Sequence, residues 1–345
     1  MTGVRPAPVA APPVRRRRLA TLACTLLVAA QPAPGQTAAT PAPVEAPRAA
    51  AERPLHLIIP FAAGGGNDIV ARVIAARLAE LRGQPVLVEN KPGAQGIIAV
   101  EYVQKSAADG YTILMGPSGP MTGNPAIYSK LPYDTLRDFI PVTMIGSFPL
   151  ILVTAAGLPV QSVQDLVQYA REHAGSVNYG STAALFQLAG ELFNQKTGTR
   201  FEHIPYKSSG EFVNAVMAGE IAMAFADPPP ASGPIRAGRL RALAVTSAVR
   251  HPSYPEVPTL TQAGIAGMEF SIWMGIFLPA ATPAAIASRL HDDLVRIIAS
   301  PEVAERLAAL GVDPSGMPSE EFARVIAADI ARWTAVAKAA HIKAD

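Results

Sequence analysis

The sequence is poor in the residues that most chemistries need. It holds a single cysteine, Cys24, among 345 residues, which excludes a disulfide framework and any multi-cysteine metal site. Its six histidines, His56, His173, His203, His251, His291 and His341, are scattered. They form no His-Glu-x-x-His pair, and no two stand at metal-ligand spacing. Charged residues are only 16%, against a usual ~25%. Hydrophobic residues make up 50%, a balance that excludes a disordered chain. No apolar run reaches the ~18 residues that suggest a membrane span. What remains is a large apolar chain, long enough for about two domains at ~150 residues each.

The formal charge of +2 is concentrated at one end. Residues 1–52 carry six basic and two acidic side chains, out of 29 and 27, so the rest of the chain is −2. A nearly neutral body has no electrostatic footprint for nucleic acid.

Arg15 to Arg18 precede an apolar run, Leu19–Ala30, and Pro, Ala, Gly and Thr dominate from Gln31 to Ala50. A positive segment, a short apolar core and small residues beyond it make a secretory signal peptide. Residues 1–39 are therefore read as signal peptide and leader, with cleavage after Ala30, Gly35 or Ala39. The paired arginines permit a twin-arginine route. Cys24 falls inside the apolar core and would leave with it, so thiol catalysis is excluded in the mature protein. The expected location is the periplasm.

From Leu55 onward, short apolar runs alternate with helical patterns. Strands are expected at Leu55–Phe61, Pro85–Asn90 and Tyr111–Gly116, with helices over Asp68–Leu81 and Ile97–Ser106. In the first helix Ile69, Val70, Val73, Ile74 and Leu78 recur at helical spacing. Pro141–Gly157 is two apolar runs broken at Ser147-Phe148-Pro149, read as a long connecting strand. The alternation then restarts. Helices are expected at Val163–His173, Ala184–Lys196 and Glu211–Ala218, and strands at Val177–Tyr179, Phe201–Pro205 and Ala222–Ala226. Leu240–Ser247 is a second long apolar strand, and helices Pro283–Ala299, Pro301–Leu310 and Ser319–Ala340 close the chain. Alternating strands and helices argue for βαβ units on mostly parallel sheets. The two units are either tandem domains or one inserted into the other. Insertion is preferred because the two long apolar segments flank Gly157–Arg239 as a pair.

Two strand–helix junctions carry ligand chemistry. The first is Phe61-Ala62-Ala63-Gly64-Gly65-Gly66-Asn67-Asp68. Its glycines let backbone amides turn toward a ligand, and the following helix N-terminus favours an anion. Asn67 or Asp68 would cap that helix. Gly64 and Gly66 with Glu89 resemble a dinucleotide fingerprint, but the third glycine falls at Ile69, so nicotinamide binding is not expected. No Gly-Lys-Ser/Thr follows, which excludes a P-loop. The second junction is Tyr179-Gly180-Ser181-Thr182-Ala183-Ala184, where Ser181 and Thr182 would cap a helix or donate to an anion. If the units face each other, two helix N-termini converge on one cleft, a geometry suited to a small acid. Ser181 lacks the Gly-x-Ser-x-Gly nucleophile elbow, and His203 reads as structural rather than catalytic. Asp227 is either a ligand contact or a turn former, and Trp273 is core or cleft wall.

From Pro54 to the C-terminus, the order of short motifs resembles the Bug-type periplasmic solute-binding receptors of tripartite tricarboxylate transporters. The motifs run Ile59-Pro60-Phe61-Ala62-Ala63-Gly64-Gly65 with Asp68 and Arg72; Val88-Glu89-Asn90-Lys91-Pro92-Gly93-Ala94; Asp109-Gly110-Tyr111-Thr112; Leu131-Pro132-Tyr133-Asp134; Asn178-Tyr179-Gly180-Ser181; Leu188-Ala189-Gly190-Glu191; His203-Ile204-Pro205-Tyr206-Lys207; Ala237 to Thr246; and Val257-Pro258-Thr259. The resemblance implies an α/β, type II periplasmic-binding-protein fold, with two Rossmann-like lobes joined by two hinge strands. Lobe 1 is expected at 54–150 plus 247–345, and lobe 2 at 151–246. It implies a receptor that captures a small organic carboxylate and delivers it to the membrane subunits of the transporter. No enzymatic activity, metal or cofactor is expected, and the protein is expected to act as a monomer. The expected ligand contacts are Phe61, Ala63, Gly64, Gly65, Gly66, Asp68, Ser118, Ser181, Thr182, Ala183 and Asp227. Alternatives are a secreted α/β hydrolase using Ser181 and a receptor presenting its ligand to a sensor.

One departure from the family pattern bears on the ligand. Tyr179–Glu191 is two residues shorter than usual and lacks inner glycines. Gln187 replaces a histidine, and Leu185 and Phe186 stand where a polar turn is usual. Ser208-Ser209 replace a glycine. A more apolar wall suits an aromatic or aliphatic monocarboxylate better than a compact polyacid.

Overall fold

The computed structural model describes residues 53–339 and 342–343. The expected leader with Cys24, and His341, lie outside the described residues. The first stretch builds strand β1 (Leu55–Ile59), helix α1 (Gly66–Arg82), β2 (Val86–Asn90), α2 (Ile97–Gln104) and β3 (Thr112–Pro117). A π-helical turn at Gly119–Gly123 follows, then the short helices α3 (Asn124–Ile127) and α4 (Thr135–Asp138). The chain crosses over through β4 (Phe139–Pro149) and β5 (Ile151–Ala155). Next come α5 (Val163–Glu172), β6 (Asn178–Ser181), α6 (Ala184–Thr197), β7 (Glu202–Pro205), α7 (Ser209–Ala218), β8 (Met223–Ala226), α8 (Pro228–Arg236) and β9 (Leu240–Val245). It returns through β10 (Ser271–Pro279), α9 (Ala284–Ala299), α10 (Pro301–Ala309), β11 (Asp313–Met317) and α11 (Ser319–Ala339).

These strands form two sheets, ordered β11-β4-β10-β3-β1-β2 and β7-β6-β8-β5-β9. Each is the centre of one lobe, and the lobes exchange chain twice, between β4 and β5 and between β9 and β10. The expectation of mostly parallel sheets is corrected here. Of the nine strand pairings among the described residues, four are parallel and five antiparallel. The parallel ones join strands linked by helices, as a right-handed crossover requires. The antiparallel ones all involve β4, β5, β9, β10 or β11, the strands that enter or leave a lobe without such a crossover. Pro141–Gly157 is two strands rather than one, because the chain changes sheet at Leu150.

The strands lie in the core because their sequences are apolar on both faces. β1 is buried at Leu55, Leu57, Ile58 and Ile59, and β10 at every residue from Ile272 to Pro279. The inward stripe of α1 is Val70, Ala71, Ile74, Ala75 and Leu78, with Ile69 and Val73 only flanking it. Gly83 closes this helix in the left-handed region, φ 62°, donating its N–H to the Ala79 carbonyl, as a C-terminal glycine does. The C-terminal helices pack back onto the first sheet. There the Phe322 ring meets Trp273 edge-on at 4.9 Å, and Trp273 Nε1 donates to Asp329 at 2.7 Å.

At the crossovers, one hydroxyl ties three strand ends. Thr246 Oγ1 accepts from the Leu150 amide at 2.9 Å and donates to the Phe270 carbonyl at 2.7 Å. The Thr246 backbone also pairs with Leu150 and with Phe270. Thr246 is fully enclosed, at 1% exposure.

Candidate functional site

Helix α1 begins two residues earlier than its pattern suggests, at Gly66 with Gly65 in the capping position. Neither Asn67 nor Asp68 caps it, and Gly65 offers no side chain to do so. Helix α6 starts in the same way: Ala183 occupies the cap position, and neither Ser181 nor Thr182 supplies a cap bond. By contrast α5 has a full capping box from Ser162 and Asp165, and Ser208 caps α7. In α6 the first intrahelical bond runs from the Gln187 amide to the Ala183 carbonyl, so the amides of Ala184, Leu185 and Phe186 have no partner inside the helix. Each lobe thus presents a helix whose positive end is not capped by its own cap residue.

The two ends meet. A cavity between the lobes is lined by Phe61, Gly65, Gly66, Asn67, Ser118 and Trp273 from the first lobe and by Thr182, Ala183, Phe186, Ser209 and Asp227 from the second, with Phe148 and Ile272 beside the crossovers. It encloses about 30 Å³. The lobes therefore lie close to one another. Direct contacts hold them there. The Ala62 amide donates to the Lys207 carbonyl at 2.9 Å, and Gln95 Nε2 donates to Gln187 Oε1 at 3.2 Å. Small residues permit the approach, since a Cβ on Gly119 would lie 2.9 Å from that of Ala183.

Asp227 is the unusual member of this wall. It sits in the capping position of α8, but Pro228, Pro229 and Pro230 follow it, and proline has no N–H to be capped. Its side chain makes no cap bond and turns instead toward α1. Oδ2 accepts from Ser209 Oγ at 3.0 Å, and that same Oγ accepts from the Gly66 amide at 3.2 Å. A Cβ placed on Gly66 would fall 1.9 Å from Asp227 Oδ2. The chain's own carboxylate thus occupies the positive end of α1. It is 4% exposed, and its Oδ1 has no hydrogen-bond partner. Burial pushes Asp227 up to about 6, against the pull of the Ser209 hydroxyl and the Gly66 amide.

Of the expected contacts, Phe61, Gly65, Gly66, Ser118, Thr182, Ala183 and Asp227 line the cavity. Ala63 and Gly64 do not; both are exposed on the outer lip. Asp68 is buried but faces its own lobe, accepting from Arg72 at 2.8 Å and 3.1 Å, from Asn90 at 3.1 Å and from the Gly64 amide at 3.0 Å. Burial raises its carboxyl, and those hydrogen bonds outweigh burial and hold it below the usual range. Asp68 is thus the brace of the glycine loop. Ser181 opens instead onto a neighbouring cleft of about 390 Å³, shared with Phe61, Thr182, His203 and Tyr206. There Ser181 Oγ and His203 Nε2 lie 2.6 Å apart. Burial lowers His203, so its imidazole is held neutral, against the pull of Glu191. Glu191 itself accepts from the Tyr179 hydroxyl at 2.7 Å.

Sequence reasoning passed over Ser209, Asn67, Phe148 and Ile272 as wall residues. Ser209 was visible as a departure from the usual glycine. Ile272 lay in an apolar run whose strand, β10, went unread. No group of three or more His, Cys, Asp or Glu suited to a metal occurs among the described residues, and no helix there is long and apolar enough to cross a membrane.

Comparison with known proteins agrees with this geometry. Residues 70–342 match the tripartite tricarboxylate transporter family receptor. Protein BugT of Bordetella pertussis is 36% identical over 305 residues, covering 88% of this chain and 93% of BugT. The structure of R. palustris Rpa4515 with adipate superposes with a TM-score of 0.82 at 36% identity, covering 85% of this chain and 98% of that one. MatC (Rpa3494) from Rhodopseudomonas palustris with bound malate gives 0.79 at 28% identity, covering 83% and 99%.

Proposed function

Since the chain belongs to the tripartite tricarboxylate transporter receptor family, we propose that it is an exported, periplasmic receptor that binds one small organic carboxylate between its lobes. It hands that ligand to membrane transport subunits and performs no chemistry on it. The observation that carries this reading is that α1 and α6, neither capped by its own cap residue, both start at one cavity, with the α6 end left open. The open backbone amides of α6 in a desolvated cleft recognise an anion without a cationic side chain, and no Lys, Arg or His lines the cavity. Related proteins are solved with adipate and with malate, both small organic carboxylates.

The experiment is a thermal-shift and calorimetric screen of the leaderless protein against organic acids and their methyl esters. A ligand at 100 times its Kd stabilises by about 2.7 kcal/mol, and the ester should stabilise less because it removes the anion. Equal stabilisation by acid and ester would sink the two-helix clamp.

The short Ser181–His203 contact gives the hydrolase reading a geometric basis, since it pairs a hydroxyl with a neutral imidazole. Against it, Glu191, the carboxylate that acts on His203, is engaged by Tyr179 and makes no hydrogen bond to the ring. Turnover of acyl esters that Ser181→Ala abolishes would decide for the hydrolase.

A further inference from the structure

The proposed receptor reading leaves one group unexplained. A binding cleft for anions has no evident use for a buried carboxylate, yet Asp227 lines this one. It lacks a cation beside it and has one oxygen unpaired. Asn67 Oδ1, in the first turn of α1, is a second enclosed acceptor on the same wall without a partner. Buried acceptors left unpaired each cost on the order of 1–3 kcal/mol, so a structure that retains two of them in a ligand cleft is short of donors there. The three prolines after Asp227 make this intrinsic to the sequence: the residues that open α8 offer no backbone N–H to the carboxylate.

Resting on that receptor reading, we propose that the ligand is an amino monocarboxylate, a zwitterion whose ammonium group donates to Asp227 Oδ1 while its carboxylate takes the free amides at the start of α6. The polarity of the cleft assigns the two ends. Asp227 already fills the positive end of α1, whereas the Ala184–Phe186 amides of α6 have no intrahelical acceptor. A second carboxylate would have to stand against Asp227 in a dry cavity, and like charges repel strongly there. Between the ends, Phe61, Phe148, Phe186 and Trp273 make an apolar wall that suits a hydrocarbon body.

Calorimetry with four six-carbon acids at pH 7.5 tests this: hexanoate, 2-aminohexanoate, 6-aminohexanoate and adipate. They share a length and differ in whether an ammonium, a methyl or a carboxylate faces Asp227. The expected result is that at least one amino acid binds tenfold or more tighter than both hexanoate and adipate. Asp227→Asn should then weaken that amino acid tenfold or more while leaving adipate unchanged or tighter. If the variant does not fold, the wild-type order decides alone. Adipate binding as tightly as the amino acids would overturn the proposal while upholding the receptor reading. Silence of all four would also overturn it, and silence of the wider acid panel would remove the receptor reading as well.

Discussion

Replacing Asp227 by asparagine should stabilise the protein at pH 8 and do nothing at pH 4. Asp227 titrates near 6 in the folded protein against an ordinary 3.8, because burial disfavours its charge. An acid whose pKa rises on folding holds its proton more tightly in the folded state. Its charge therefore penalises the fold above pH 6, and the penalty fades as pH falls from 6 to 3.8. The separation of the two values corresponds to about 3 kcal/mol, at about 1.4 kcal/mol for each tenfold in proton affinity. The groups facing Asp227 are the Gly66 amide of α1, the Ser209 hydroxyl of α7 and, further off, the Tyr254 phenol, none of them cationic. Asparagine has nearly the same shape and no charge to bury. Paired thermal melts should give the variant a Tm higher by about 6 °C at pH 8, with the two curves meeting near pH 4. Differencing the two proteins cancels the carboxylates that pull the other way, among them Asp68 and Glu89, both held below their usual range. A difference that stays constant from pH 4 to 8, or a wild type more stable at pH 8, would refute the reasoning.

Five further variants have expected outcomes. Gly66→Ala places a methyl 1.9 Å from Asp227 Oδ2 with no backbone strain, whereas Gly64→Ala meets nothing within 4 Å but must hold φ 84°. The first should keep its Tm, widen the ligand-free particle in small-angle scattering and weaken binding tenfold or more; the second should lose about 1 kcal/mol of stability and bind normally. Gly65→Val should side with Gly66→Ala, because its Cβ already lies 3.2 Å from Ser209 Oγ. Thr246→Val leaves the Leu150 amide and the Phe270 carbonyl without their side-chain partner, and chemical denaturation should show a loss of about 2 kcal/mol. Ser181→Ala should reduce ligand affinity by no more than about 1 kcal/mol in calorimetry, since Ser181 faces the neighbouring cleft and His203.

The parts of the fold that were legible are those with a strong local period. Leu55–Ile59, the α1 stripe and the alternation from Val163 to Ala226 announce themselves by apolar spacing, and they emerge as β1, α1 and the second lobe. Helix α8 was hidden because Pro228-Pro229-Pro230 reads as a breaker, although proline is tolerated in a first turn. β11, with the sequence Asp-Pro-Ser-Gly-Met, has no apolar alternation and exists because β4 offers an edge to pair with. The glycine loops pointed to the right junctions, but the side chains along them separated only in three dimensions. Asp68 and Gly66 are two residues apart, yet helical rotation turns one into its own lobe and leaves the other in the cleft. No sequence rule places Ser209 against Gly66, 143 residues away.

The hydroxyl of Thr246 sets the mechanics of the whole body. It ties Leu150, at one crossing between the lobes, to Phe270, at the other, so the two crossings share a fulcrum. Motion about a fulcrum is amplified with distance from it. Any change in the angle between the lobes therefore shows most at the outer lip, where Ala63 and Gly64 are exposed.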